Sequence, residues 1–188
     1  MIKWILRKAI SRFEREWNYD ASYVRDIIEV SPRAAWMFQR AAAIGQFRRD
    51  VPLDAWCAAG ITAVRQEDCG PCTQLGVQMA ERAGVSAAVL RAILSDNPDA
   101  MPPDAALAWR FTRATLAHDP AADDYREVIV ERWGRGAVVS LAFAITAARI
   151  YPTVKYALGH GKACMRVVVD GKPVIMDHGR VAAEVRTA

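Results

Sequence analysis

LDAWCAAGITAVRQEDCGPCTQLGVQMAERAG, residues 53–84, is the stretch on which the fold turns. CGPC has the spacing of a redox-active dithiol. In thioredoxin-like folds that motif follows a β-strand inside alternating strand and helix units. Here the run ahead of it has helical periodicity instead, with Leu53, Trp56, Cys57, Gly60, Ile61 and Val64 on one apolar face. A helix on each side of CGPC predicts an all-α protein in which the motif links or opens helices. Pro71 suits a first helical turn, where its missing N–H costs nothing.

Working outward, the helical pattern continues in both directions. Ile2, Ile5, Leu6, Ala9, Ile10, Phe13 and Trp17 recur at helical spacing, with Lys3, Arg7, Lys8, Arg12 and Arg15 over the rest of that helix. A membrane-surface helix has this character. The stripe is expected instead to pack on the protein's own core or on a neighbouring subunit. Asp20 predicts a cap for a helix over 20–30, and Ser31 with Pro32 a cap and first turn for another reaching about residue 47. Pro52 opens the next, the CGPC helix ends near Gly84, and further helices are expected over 85–95, 104–118, 123–133 and 136–151. The tail changes to two β-rich runs, MRVVV and KPVIM, around Asp170 and Gly171, a tight-turn pair that predicts a hairpin. Pro173 marks its second strand as an edge.

A chain of 188 residues suffices for one sizeable core, and its 53% hydrophobic share is rich in alanine. The net charge is 25 − 21 = +4, and the first fifty residues hold ten Lys and Arg against six acids, so the excess sits there. That imbalance is too mild for nucleic-acid binding, which needs clustered basic and groove-reading residues. The longest uncharged run, residues 136–148, is shorter than the roughly 20 apolar residues of a bilayer span. With no signal-peptide pattern at the start, a cytoplasmic location is expected, where four cysteines read as redox or metal groups rather than a disulfide framework.

Cysteines three apart share one face of a helical turn, close enough for a local disulfide. The free N–H groups and dipole of the helix N-terminus favour thiolate there, which on its own points to Cys69 as the more acidic thiol. Cys69, Cys72, Gly76, Met79, Ala80 and Ala83 share a stripe expected to face inward, and Gly76 leaves room below Cys72 for water, a substrate or a side chain. Cys57 reads either as a small core residue or as a third thiol approaching the same place; Cys164 reads as core. A zinc site would need a fourth ligand from Cys164, His118, His160 or His178, all remote in sequence, so neither metal nor cofactor is expected.

The run CAAGITAVRQEDCGPCTQLGVQMAERAGVS resembles the helical hairpin of the carboxymuconolactone decarboxylase superfamily, in its CxxC-containing alkyl hydroperoxidase D-like branch. A weaker similarity extends through RGAVVSLAFAITAARIYPTVKYALG, so the resemblance covers about residues 52–159. It implies an alkyl hydroperoxidase D-like helical bundle, to which this chain adds N-terminal helices over 1–50 and a short C-terminal β-hairpin within 163–178, in one domain of residues 1–188. It further implies a homo-oligomer, a trimer or hexamer, and a thiol-dependent peroxidase or disulfide oxidoreductase. Its partners would be a hydroperoxide or other small oxidant and a thiol or dithiol reductant. Carried over residue by residue, Cys72 attacks the peroxide and Cys69 resolves, which divides from the helix-terminus argument over role.

The resemblance breaks at the proton relay. The family has a glutamate ahead of the first cysteine and a histidine after the second, where this chain has Cys57 and Gly76. General-base catalysis contributes about 10²–10⁴-fold, so a replacement matters. Glu67 and Asp68 are the nearest candidates, and equally suit capping and dipole compensation, although an acid so close also opposes thiolate formation. His118 or His160 folding back and Cys57 as a resolving thiol are the other routes. The competing class is a non-enzymatic ligand- or partner-binding scaffold whose relay is lost.

Overall fold

A computed structural model describes residues 2–161 and 166–175. These residues form a helical protein with one short β-hairpin, as the period on either side of CGPC predicts. In chain order the helices are α1 (Ile2–Trp17), α2 (Ser22–Val30), α3 (Pro32–Ala42), α4 (Leu53–Gln66), α5 (Gly70–Ala83), α6 (Ala87–Leu94), α7 (Pro103–Ala117), α8 (Ala121–Trp133) and α9 (Arg135–Ala157). The strands are β1 (Arg166–Val169) and β2 (Lys172–Ile175). Local chemistry sets many of the boundaries. The Ser31 hydroxyl accepts from the Ala34 N–H at 3.3 Å and caps α3, and Ser86 does the same for α6 through Val89. Gly84, at φ 101°, closes α5 with the Val85 N–H returned to the Ala80 carbonyl.

The main core gathers around α4, which packs against α5, α6, α7 and α9. The single apolar face expected of α4 is too narrow a description. Ala55, Ala58, Ala59, Ala63 and Thr62 are buried as well, and Leu53, Trp56 and Gly60 are only half-buried. Small side chains on α4 meet Ala105, Ala106 and Ala108 of α7, so two helices approach closely with alanine on both sides.

Several expectations shift. The helix predicted to run to residue 47 ends at Ala42 and tightens into a 3₁₀ turn, Ala43–Gln46. That turn lies against α9 so closely that a Cβ on Gly45 would stand 2.5 Å from the Ala147 Cβ. Gly45→Ala is therefore expected to cost about 1–3 kcal/mol through overpacking, measured by urea unfolding.

Helix α9 does not stop at Tyr151. It runs through buried Pro152 to Ala157, because contacts from elsewhere hold its last turns: Tyr151 packs edge-on against Phe38, and the Tyr156 hydroxyl donates to the Asp68 carbonyl at 2.8 Å. The uncharged run 136–148, by itself too short to cross a membrane, lies within this helix. By length and composition α9 is long and apolar enough to cross one, since it continues past Arg149; here it packs against α3, α4 and α8.

A second cluster lies beneath the N-terminal helices. Buried Tyr19, Ala21 and Tyr23 are surrounded by Phe13, Trp17, Phe38, Leu75, Tyr151 and Val154, which join α1–α3 to α5 and α9. The apolar stripe of α1 divides accordingly: Ile10, Phe13 and Trp17 pack on this cluster, whereas Ile2 and Ile5 are exposed, as is Trp4 (64%).

The hairpin turns at Asp170 and Gly171, both with positive φ (49° and 67°), as a tight two-residue turn requires. Val167 and Val169 enter the main core and Val168 faces outward. The Gln74 carboxamide of α5 grips β1 from its open side, donating to the Val168 carbonyl at 3.0 Å and accepting from the Val168 N–H at 2.7 Å. The remainder of the predicted hairpin interval, with Cys164 and His178, lies outside the described residues.

Candidate functional site

The α4–α5 junction builds the site. Asp68 takes the left-handed conformation, φ 50°, which Asp tolerates, and this turns the chain sharply after α4. Cys69 follows in extended geometry as the N-cap of α5, with Gly70 and Pro71 in its first turn. The Cys69 carbonyl accepts from both the Thr73 N–H (2.9 Å) and the Thr73 hydroxyl (3.0 Å), which locks that turn. Cys69 and Cys72 thereby stand one turn apart, Cα atoms 5.3 Å from each other, with their sulfurs at disulfide distance. The geometry is that of a redox-capable CxxC pair.

The pair is closed from solvent. Cys69 is 1% exposed and Cys72 7%, and Val64 of α4 and Ala148 of α9 pack against them. Over Cys72 sits Tyr19, whose hydroxyl oxygen is 3.6 Å from the sulfur. Behind it, the Lys155 amino group donates to the Tyr19 oxygen at 3.3 Å and lies over the rings of Tyr19 (4.6 Å) and Tyr23 (5.3 Å). Burial is the largest influence on the Tyr19 hydroxyl, which is pushed up to about 12; Asp20 and Tyr151 raise it and a hydrogen bond with Tyr23 opposes them. Burial also drives Tyr23 and Tyr151 upward.

The residues singled out in the sequence separate into two sets. Cys69, Cys72 and the buried Val64 come together. Cys57 belongs to the main core, seven residues before Val64 and so about 10 Å away along the axis of α4. Its thiol is pushed up to about 11, chiefly by burial, with Asp54 adding to the shift and Arg48 opposing it. Glu67 forms an ion pair with Arg149 of α9, and Asp68 offers its carbonyl to Tyr156. A Cβ at Gly76 would meet Ile61 at 3.8 Å, an ordinary van der Waals contact, so the space below Cys72 admits a methyl group and is bounded by Ile61. Met79 and Ala83, expected to face inward, are exposed; Thr73 and Val77 are buried instead.

The two described histidines lie elsewhere. His118 lines a groove of about 490 Å³ between α7 and α9, with Arg149, Thr115 and Ile150. His160 bridges back to α2, bonding Ser22 at 3.0 Å and Asp26 at 2.6 Å. Among the described residues, no three His, Cys, Asp or Glu side chains group as a metal site. Tyr19 and Lys155 escaped the sequence because each meets Cys72 only through tertiary structure, across 53 and 136 residues in the two hydrogen-bond steps. One signal was there: Lys155 is a single cation in the otherwise apolar run YPTVKYAL. No family model matches the chain, and neither does any curated protein or solved structure.

Proposed function

We propose that the protein is a thiol-dependent peroxidase or disulfide oxidoreductase, similar to alkyl hydroperoxidase D, working through Cys69 and Cys72. The observation that carries this reading is the pair at disulfide distance at the head of α5. A helix N-terminus favours thiolate and so raises the nucleophilic fraction. The Cys72 thiolate attacks the terminal oxygen of a hydroperoxide. The O–O bond breaks, its electron pair leaves with the alkoxide, and the alkoxide takes up the proton released by the thiol. The Cys69 sulfur then attacks the Cys72 sulfenic acid, forming the S–S bond and expelling water. A thiol or dithiol reductant restores both thiols and is itself oxidised to a disulfide. Burial of both sulfurs favours small molecules in both halves of the cycle.

The test follows the two thiols through dithiothreitol redox buffers, by alkylation and intact mass, before and after a stoichiometric hydroperoxide pulse. The expected result is a reversible Cys69–Cys72 disulfide that peroxide forms much faster than air does. Thiols that stay alkylatable after the pulse reject the proposal. In that event the binding-scaffold reading takes over.

A homo-oligomer, trimer or hexamer, in a cytoplasmic setting completes the reading. Exposed Ile2, Trp4 and Ile5 on α1 support self-association. Trp4→Glu combined with Ile5→Glu is expected to lower the sedimenting mass; an unchanged oligomer would assign assembly to another face.

A further inference from the structure

The direction of the hydrogen bonds over Cys72 has a chemical consequence. A disulfide sulfur carries no proton, and Lys155 donates to the Tyr19 oxygen, so the hydrogen of Tyr19 is the one directed at Cys72. With its hydroxyl pushed up to about 12, Tyr19 keeps that proton at neutral pH. Among the described residues no such donor stands over Cys69, whose carbonyl is engaged by Thr73 and which packs with Val64 and Ala148.

We propose that Tyr19, backed by Lys155, polarises the pair: Cys72 is the sulfur held as thiolate, and Cys69 is the sulfur that an incoming reductant attacks. The inference rests on the dithiol reading above and deepens it by naming the side chains that sustain the Cys72 thiolate and the sulfur at which the reductant enters. A reductant thiolate attacks the Cys69 sulfur, forming a mixed disulfide. The Cys69–Cys72 bond breaks and its electron pair stays on Cys72, where the Tyr19 hydroxyl donates to it while the Lys155 amino group donates to the Tyr19 oxygen from behind. The second thiol of a dithiol reductant then attacks the reductant's own sulfur in the mixed disulfide. Cys69 leaves, taking up a proton, and the reductant departs as its disulfide. In the oxidising direction the same hydrogen bond holds the Cys72 thiolate ready for peroxide. Tyr19 touches the reacting sulfur; Lys155 is a positioning residue acting through it. The other groups acting on Tyr19 are Asp20 in its own turn, Tyr23 on α2 and Tyr151 on α9.

Tyr19 and Lys155 thus supply an arrangement around the nucleophile that neither Glu67 nor either described histidine provides. Glu67 is committed to Arg149, and His160 to Ser22 and Asp26.

The test has two arms on the full chain. In the first, the pH dependence of Cys72 alkylation is followed by peptide mass in a parent carrying Cys57→Ser, Cys69→Ser and Cys164→Ser, with Tyr19→Phe, Lys155→Met or Lys155→Arg added. A hydrogen bond to a charged group sets the scale, so Tyr19→Phe is expected to lower the thiolate fraction at neutral pH by about 10-fold or more. Lys155→Met should move it in the same direction, and Lys155→Arg should restore it. An unchanged alkylation profile in Tyr19→Phe overturns the inference. The second arm needs no substitution. Oxidised wild-type protein is treated with a monothiol, glutathione, and the mixed disulfide is mapped. An adduct on Cys69 is expected, and an adduct on Cys72 overturns the assignment. A wild-type pair that forms no reversible disulfide defeats the underlying redox reading instead, which keeps the two failures distinct.

Discussion

Cys72→Ser is expected to reduce dithiol-dependent hydroperoxide consumption to the level of buffer, and Cys69→Ser to stop it after one turnover. A serine hydroxyl at position 72 has no accessible anion at neutral pH, so the helix terminus and the Tyr19 hydroxyl have nothing to stabilise. With Cys69 removed, the first step still runs, and the product is a Cys72 sulfenic acid without its neighbouring thiol. Cys57 offers no rescue, because its buried thiol is pushed up to about 11 and it packs in a different cluster. Peroxide loss measured against a dithiol, with dimedone labelling of Cys69→Ser, reads both outcomes. Turnover surviving in Cys72→Ser removes that residue from the mechanism, and a label found on Cys57 reinstates the three-thiol site.

The largest stability effect is expected at Asp96→Ala, a loss of up to about 3 kcal/mol in urea unfolding: Arg65 is buried but the Asp96 side chain is 32% exposed, which sets the loss at the low end of the scale for stranding one member of a buried ion pair. Arg65 is buried on α4 and donates to both Asp96 carboxylate oxygens, at 2.6 and 3.1 Å, and to the Ile93 carbonyl at 3.1 Å. Trp109 of α7 donates to the same carboxylate at 3.2 Å. One acid therefore ties α4 and α7 to the end of α6. Removing it leaves a guanidinium in the core with a single carbonyl partner, while Ala must also adopt the φ of 50° that Asp accepts more easily. Arg65→Met in the Asp96→Ala background should recover much of the loss, since a hydrophobic side chain of similar volume removes the stranded charge. The Arg65 carbonyl accepts from the Asp68 N–H just ahead of Cys69, so the double variant also reports whether the α4–α5 turn keeps its shape.

Local chemistry made most of the helical order readable. Ser31–Pro32, Gly84 and Asp170–Gly171 each mark a boundary that the structure keeps, because caps and tight turns depend on a few adjacent residues. Helix α9 outruns the expected 136–151 for the complementary reason: a proline such as Pro152 ends a helix in isolation, but Tyr151, Lys155 and Tyr156 are anchored by residues far away in sequence. In α4 the abundance of alanine hid how completely the helix is enclosed, since small residues blur the contrast between faces. For the site, spacing alone delivered Cys69 and Cys72 and the terminus on which they sit. What surrounds them was out of reach, because Tyr19 is supplied by the turn between α1 and α2 and Lys155 by the last turns of α9.

The Gln74 clasp on the hairpin also bears on how the protein avoids its own copies. Val168 turns its N–H and carbonyl to Gln74, away from β2, so its partner Pro173 must direct its backbone positions to the opposite margin of the ribbon. A two-stranded ribbon ordinarily offers two templates for intermolecular strand addition. Here a side-chain amide already occupies one, and on the other a proline removes a donor where an incoming strand would need it. Resistance to edge-to-edge aggregation is therefore built from two residues on opposite margins, one filling hydrogen-bond sites and one deleting them.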